Sequence, residues 1–248
     1  MDMQLKGAVA IITGGKRIGR VVARELAQRG VDLVLSYRGS KAEAEATVAD
    51  VEAAGRRATV IQADVADPQD CAAIVAHAVA TFGRVDILVN MASIYRSTPL
   101  EQVTPEYWAT DLDVNLRSAF LCAHAAIPHM RTAGGGRIVN FADWLARSGR
   151  PHYKGFTSYY VAKAGVVALT EALALEVARD GILVNAIAPG PIVAPPDMTE
   201  EEIAEVAKAT PLGRWGGELE IARAVLFLCE TTFVTGETIR VDGGRHLE

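Results

Sequence analysis

Short apolar runs separated by stretches of helical periodicity recur along this chain. Ala8–Thr13, Val31–Ser36, Arg57–Gln62, Val85–Asn90, Arg137–Phe141, Ile182–Ala188 and Thr238–Val241 each read as a strand. The first of them, AVAIIT, does not alternate with polar residues, as expected of a strand covered on both faces. Between the strands, apolar positions fall at the spacing of a helix face. Ile18, Val21, Val22 and Leu26 mark the first helix, which ends at Gly30. Ser40 is placed to cap a helix over 41–54, and Asp67-Pro68 starts another that runs to Phe82. Further helices are predicted over 104–115 and 116–132, with a kink or break at Pro128, and over 158–179, 199–209 and 218–229. Gly134-Gly135-Gly136 is a turn, and Pro189–Pro196 a proline-rich loop.

Strands alternating with helices of this length imply one α/β unit. Right-handed crossovers then give a single doubly wound parallel sheet of the Rossmann type, about seven strands with helices on both faces. With no repeat, low-complexity segment or linker, residues 1–248 read as one domain. Ligands of such a sheet bind at the carboxyl ends of the strands, where the strand order reverses.

Composition narrows the class. Half of the 248 residues are apolar and 22% are charged, which suits a soluble globular protein. A net charge of −5 argues against nucleic-acid binding. No apolar run reaches the ~18–20 residues of a membrane span. The opening MDMQLKGAVAIITGG runs straight into a glycine loop, so it reads as the first strand and not as a signal peptide. Cys71, Cys122 and Cys229 are odd in number and far apart, which fits buried thiols in a reducing, cytoplasmic setting. The histidines show no ligand spacing, so no metal site is expected.

Two stretches carry chemistry. The loop Gly14-Gly15-Lys16-Arg17-Ile18-Gly19 lies between the first strand and the first helix. There, glycine lets the backbone approach a pyrophosphate and the helix N-terminus offers N–H groups. Strand two ends in Ser36-Tyr37-Arg38-Gly39-Ser40, without the acid that would bind a ribose 2′-hydroxyl. Arg38, Ser40, Lys16 and Arg17 instead suit a 2′-phosphate, which points to NADPH. An ordinary charged surface is the bland alternative, and it leaves the missing acid unexplained. The second stretch, DWLARSGRPHYKGFTSYYVAK, ends in a helix that sets Tyr159 and Lys163 four residues apart on one face. Phenol and ammonium together can do acid–base work, and the cation is expected to lower the tyrosine pKa from about 10. Taken alone, such a pair is more often a packed ring and a solvated lysine.

Across nearly its whole length the chain resembles the short-chain dehydrogenase/reductase family. The resemblance rests on Thr13-Gly14 and its loop, Ala63-Asp64-Val65, Leu88-Val89-Asn90, Val114-Asn115, Tyr159-x-x-x-Lys163, Asn185, Pro189-Gly190 and the terminal VDGGRHLE. It is sharpest to the pteridine reductases, through Lys16-Arg17-Ile18-Gly19, Asn90-Met91-Ala92-Ser93, Tyr95, Thr98-Pro99-Leu100 and Asp143, which stands where most of the family has a serine. Met91 departs from that pattern, and Ser148 lies further from the strand end than the usual serine.

The resemblance implies that Tyr159 is the proton donor, with Lys163, Asp143 and Asn115 completing the catalytic group and Asn115 holding a water. It implies a cofactor held by Gly14, Lys16, Arg17, Ile18, Gly19, Tyr37, Arg38, Ser40, Asp64, Val65, Asn90, Ala92, Lys163, Pro189, Gly190 and Ile192. Ser93, Tyr95 and Arg17 are expected to meet a small-molecule substrate, with residues 189–209 as a lid. A homotetramer paired through the long helices is implied as well. Asp143 can accept from ring N–H and amino groups, so it favours a pterin or similar nitrogen heterocycle as substrate. A ketone, such as a 3-oxoacyl group, is the alternative. If Asp143 instead merely caps the turn after its strand, it carries no such information. An NADPH-binding regulator without turnover is a third reading, against which the Asn115, Tyr159 and Lys163 set argues.

Overall fold

The structure, a computed structural model, describes residues 3–14, 16–148, 153–196 and 198–247. Seven strands, β1 (Val9–Thr13), β2 (Asp32–Tyr37), β3 (Ala58–Gln62), β4 (Ile87–Asn90), β5 (Gly136–Phe141), β6 (Ile182–Pro189) and β7 (Thr238–Val241), form one sheet. Their order is β3-β2-β1-β4-β5-β6-β7, and every pairing is parallel. The order reverses between β1 and β4, whose last residues Thr13 and Asn90 lie side by side. Ser36 of β2 and Asn140 of β5 extend the same row. The reversal opens a crevice at that carboxyl edge, where ligands of open α/β sheets bind.

Side chains leave the strands alternately to two cores. Ala10 and Ile12 join Leu26 of α1 (Ile18–Gln28), Val51 of α2 (Lys41–Ala53) and Ile221 of α9 (Glu218–Glu230) on one face. Ile11 joins Ile74 of α3 (Pro68–Phe82), Met130 of α5 (Ser118–Ala133) and Val177 of α7 (Thr157–Val177) on the other. All three cysteines are free and buried. Among the described residues, no helix is long and apolar enough to cross a membrane, and no cluster of His, Cys, Asp or Glu could hold a metal ion.

Two local expectations are corrected, and two features are new. Ser40 stands at the N-cap of α2, but its side chain makes no capping bond. Pro128 does not break α5, because the buried face of Ala123, Ala126, Ile127 and Met130 keeps the helix packed through it. The change of winding falls earlier, in a π-type turn over Asp113–Arg117 that follows α4 (Pro105–Leu112). Finally, a short unforeseen helix, α6 (Trp144–Ser148), begins directly after Asp143. The helix expected over 199–209 is α8, Glu200–Lys208.

Candidate active site

Two clefts open at the carboxyl edge and share Gly14, Lys16, Met91 and Ser93. The first, of about 580 Å³, lies over the ends of β1 to β4. Gly14 forms its floor with φ 57, and a Cβ there would stand 2.9 Å from the Ala92 backbone, so only glycine fits. Lys16, Tyr37, Arg38 and Ser40 line its rim, with Asp64, Val65 and Ala92 opposite. Arg38 Nη1 lies 3.9 Å from Asp64, and Lys16 Nζ 3.4 Å from Glu43; all four side chains are largely exposed, so these pairs hold the cations only loosely. Ile18 and Gly19 open α1 beside this floor, with Ile18 facing the second cleft. Gly15 lies outside the described residues.

The second cleft, of about 730 Å³, is the candidate reaction chamber. Pro189, Gly190 and Ile192 form one wall, and Ser93 and Tyr95 another. At its centre Tyr159 and Lys163 leave one face of α7, both buried, with Lys163 Nζ 5.7 Å from the Tyr159 ring centre. Lys163 Nζ donates to the Phe141 carbonyl at 2.8 Å, and the Tyr159 hydroxyl donates to Asp143 Oδ2 at 3.0 Å. The other Asp143 oxygen accepts the Leu145 N–H at 2.9 Å, which caps α6. Asp143 therefore caps the turn after its strand and also accepts from the phenol.

Three expected site residues are occupied elsewhere. Asn90 lines neither cleft: its amide nitrogen donates to Asn140 Oδ1 (2.9 Å) and Ala119 O (3.3 Å), tying β4 to β5 beneath the floor. Arg17 lines neither cleft, because its backbone turns at φ 52 and its Nη2 reaches across to Ala194 O at 3.0 Å. Asn115, in the π-type turn, spends its side chain on the loop after β4. Its Oδ1 accepts from Ser93 Oγ (2.7 Å) and Ile94 N (3.0 Å), and its Nδ2 donates to Ile94 O (3.1 Å). Its carboxamide shapes the wall that carries Tyr95. That ring stacks on Phe156 at 4.5 Å and meets Tyr159 edge-on at 4.9 Å.

Comparison with known proteins agrees with this geometry. A family model described as enoyl-(acyl carrier protein) reductase matches residues 14–246. A 3-oxoacyl-[acyl-carrier-protein] reductase, FabG, of Staphylococcus aureus is 39% identical over 245 residues, covering 96% of this chain and 98% of the relative. The short-chain reductase protein NovJ of Streptomyces niveus is 41% identical over 252 residues, covering 96% and 94%. This chain belongs to the short-chain dehydrogenase/reductase family. Among solved structures, a putative short-chain alcohol dehydrogenase from Sinorhizobium meliloti matches with a TM-score of 0.91 at 34% identity, covering 100% of this chain and 98% of its own. A blue fluorescent protein from a metagenomic library, in complex with NADPH, matches at 0.90 and 36%, covering 98% and 99%. The named relatives are 3-oxoacyl and other short-chain reductases, and not the pteridine reductases to which the motifs are most similar.

In this short-chain oxidoreductase, burial dominates the ionisation of the candidate acid–base residues. Burial pushes the Tyr159 hydroxyl well above 10, and the charge and hydrogen bond of Asp143 push it the same way. The expected lowering by lysine is not among the influences on this hydroxyl, whose direction burial and Asp143 set. Burial brings Lys163 down to about 8, against the opposing charge of Asp143. Burial also raises Asp143, while the Leu145 N–H, the Tyr159 hydroxyl and Lys163 pull it back. Sequence reasoning missed Trp144, Phe156, Trp215 and Arg245, which also line the reaction chamber. Trp144 and Phe156 lie in the stretch that leads to Tyr159, and Arg245 in the terminal VDGGRHLE, but nothing in their spacing assigns them to a substrate; Trp215 lies in no motif.

Proposed function

We propose that this single-domain reductase uses NADPH to reduce the ketone of a 3-oxoacyl-type substrate to an alcohol. The observation that carries the reading is the Tyr159 hydroxyl, buried beside Asp143 and Lys163, facing a chamber that joins a glycine-floored cleft. The names of the relatives support the ketone, and the NADPH in a similar solved structure supports the cofactor. The chain's residues fit that cofactor. A Cβ at Gly14 would fill the cradle, and Lys16, Arg38 and Ser40 line the end of the cleft that suits a 2′-phosphate.

When bound, the dinucleotide supplies hydride. Tyr159 gives its proton to the oxygen that gains negative charge, and its raised pKa keeps that proton in place until then. Lys163, fixed on the Phe141 carbonyl, places a cation within reach of the phenolate that remains. Asp143 serves a ketone when protonated, because a carboxyl can then donate to the carbonyl oxygen as a hydroxyl would. Ionised, it accepts the Tyr159 hydroxyl instead. The same carboxyl favours a second reading, reduction of a pterin-like heterocycle, with Tyr95 as the stacking ring. We further propose that the enzyme is a homotetramer paired through α5 and α7, whose Phe120, Val161 and Leu175 are exposed.

The test is NADPH oxidation, followed by absorbance, with acetoacetyl-CoA and dihydrobiopterin side by side and NADH as control. Turnover of acetoacetyl-CoA with NADPH is expected, and turnover of dihydrobiopterin alone would transfer the assignment to the second reading. Arg38→Ala is expected to cut the preference for NADPH over NADH ten- to a hundredfold. A charged hydrogen bond is worth about 1.5–3 kcal/mol. An unchanged preference would remove Arg38 from the cofactor site.

A further inference from the structure

Outside both clefts, a buried carboxylate joins the neighbours of the two tyrosines that meet in the chamber. Asp111, on α4, is 2% exposed. Its Oδ2 accepts the hydroxyl of Ser158, itself buried and immediately before Tyr159. Its Oδ1 lies 3.5 Å from Nη2 of Arg96, immediately after Tyr95. One turn earlier on α4, Tyr107 grips the same arginine twice. The guanidinium lies 4.9 Å from the Tyr107 ring centre, and the Tyr107 hydroxyl donates to the Arg96 carbonyl at 3.3 Å. The loop is also tied to the segment before α7, where Thr98 N donates to Gly155 O at 2.8 Å.

A carboxylate taken out of water is costly unless it is paired, and here each oxygen has its own partner. What the charge adds is direction. Its two oxygens fix two groups at once, one on the substrate loop and one on the first turn of the catalytic helix. We infer that Asp111 is a positioning residue that sets Tyr159 through Ser158 and Tyr95 through Arg96. The inference rests on the reading of Tyr159 as proton donor and Tyr95 as substrate ring. It predicts a division of labour, because a misplacement of about 1 Å costs up to ~100-fold in rate. The Ser158 arm governs the chemical step, and the Arg96 arm governs substrate binding.

The test measures kcat and KM with NADPH and acetoacetyl-CoA. Ser158→Ala is expected to lower kcat about tenfold with KM within twofold of wild type. Arg96→Leu is expected to raise the KM for acetoacetyl-CoA several-fold with kcat within twofold. Asp111→Asn, which keeps the shape and removes the charge, is expected to do both while the KM for NADPH stays put. Adding Ser158→Ala to Asp111→Asn should lower kcat no further. Uniform loss of kcat and KM quality in all three variants, or wild-type kinetics in Asp111→Asn, would overturn the inference. Hydrogen exchange without substrate separates this from the functional reading. Asp111→Asn should speed amide exchange in both 94–98 and 157–161 and leave β1 and α5 unchanged. Unchanged exchange in either segment overturns the inference even if acetoacetyl-CoA is not turned over. A wild-type enzyme inactive on acetoacetyl-CoA, with exchange altered as expected, overturns the substrate assignment alone.

Discussion

Asp143 divides its carboxyl between architecture and chemistry, one oxygen on the Leu145 N–H and the other on the Tyr159 hydroxyl. The division has a consequence for stability. Burial raises the Asp143 pKa above the usual carboxylate value of about 3.9. A raised folded-state pKa means that the unfolded chain gives up its proton first as pH rises. The contribution of Asp143 is therefore fully present below pH ~4 and is lost as pH climbs through the raised value. Asparagine carries no charge at any of these pH values. It can still accept the Leu145 N–H through its carbonyl and turn its amide towards Tyr159. Asp143→Asn is thus expected to melt higher than wild type at pH 7, with the gap closing as pH falls towards 4. Thermal melts across that range check it, and a gap independent of pH would mean that the site does not destabilise the carboxylate. Lys163 follows the same linkage. Its pKa is depressed to about 8, so its contribution is largest above the unfolded lysine value of about 10.4 and fades as pH falls through 8.

At the scale of elements, the short runs between turn residues were sufficient to locate all seven strands, most plainly where a strand covered on both faces leaves a continuous apolar stretch. Their order in the sheet is set by how the crossovers pack, which the runs do not encode. The helical spacing of Tyr159 and Lys163 likewise carried over directly, since both lie on one face of a single helix. What could not be read were features set by contacts across the fold. Five residues of α6 are too few to show a period, and the π-type turn at 113–117 contains no Gly or Pro to mark it. The turning of Arg17 to Ala194, and of Asn90 beneath the floor, depends on side-chain directions that no motif encodes. Helix α8 is the element with most to lose from a local change. It has no fully buried residue, and a capping box holds its start. Thr199 Oγ accepts the Glu202 N–H at 3.2 Å, and Glu202 Oε2 accepts the Thr199 N–H at 2.8 Å. Glu202 and Val206 line the reaction chamber. Thr199→Ala should cost α8 about 1 kcal/mol of local stability. Faster tryptic cleavage at Lys208 and a several-fold higher substrate KM are expected, with the melting temperature of the whole protein hardly moved. A large drop in that temperature, with no change in cleavage, would instead make α8 part of the cooperative core.

At the scale of the whole molecule, the apolar side chains left outside the two cores bear on assembly. Phe120 on α5 and Val161 and Leu175 on α7 are exposed, Leu175 to 84%, although the inner faces of both helices are packed on the sheet. Scattered exposed apolar residues are ordinary on a monomer. In the proposed tetramer, these three on two helices that share one face of the sheet would be covered by a second copy of the same surface. In a two-fold interface each side chain is buried twice. One charge introduced there is then duplicated, and the two copies face an apolar partner with nothing to pair them. A stable interface of this kind buries on the order of 1,200–2,000 Å², and its loss should show as a change of mass before any change of fold. Light scattering coupled to gel filtration is expected to give four times the 26.4 kDa of one chain for the wild type. The double variant Phe120→Asp/Leu175→Asp is expected to fall to half that mass or less, with its circular dichroism intact. The wild-type melting temperature should also rise with protein concentration, since assembly stabilises by mass action. A wild type that runs at 26.4 kDa at micromolar concentration would return these residues to the ordinary surface of a monomer. A tetramer untouched by the double variant would require its contacts to lie elsewhere, and the exposed Leu212, Phe227 and Leu247 would be the next side chains to charge.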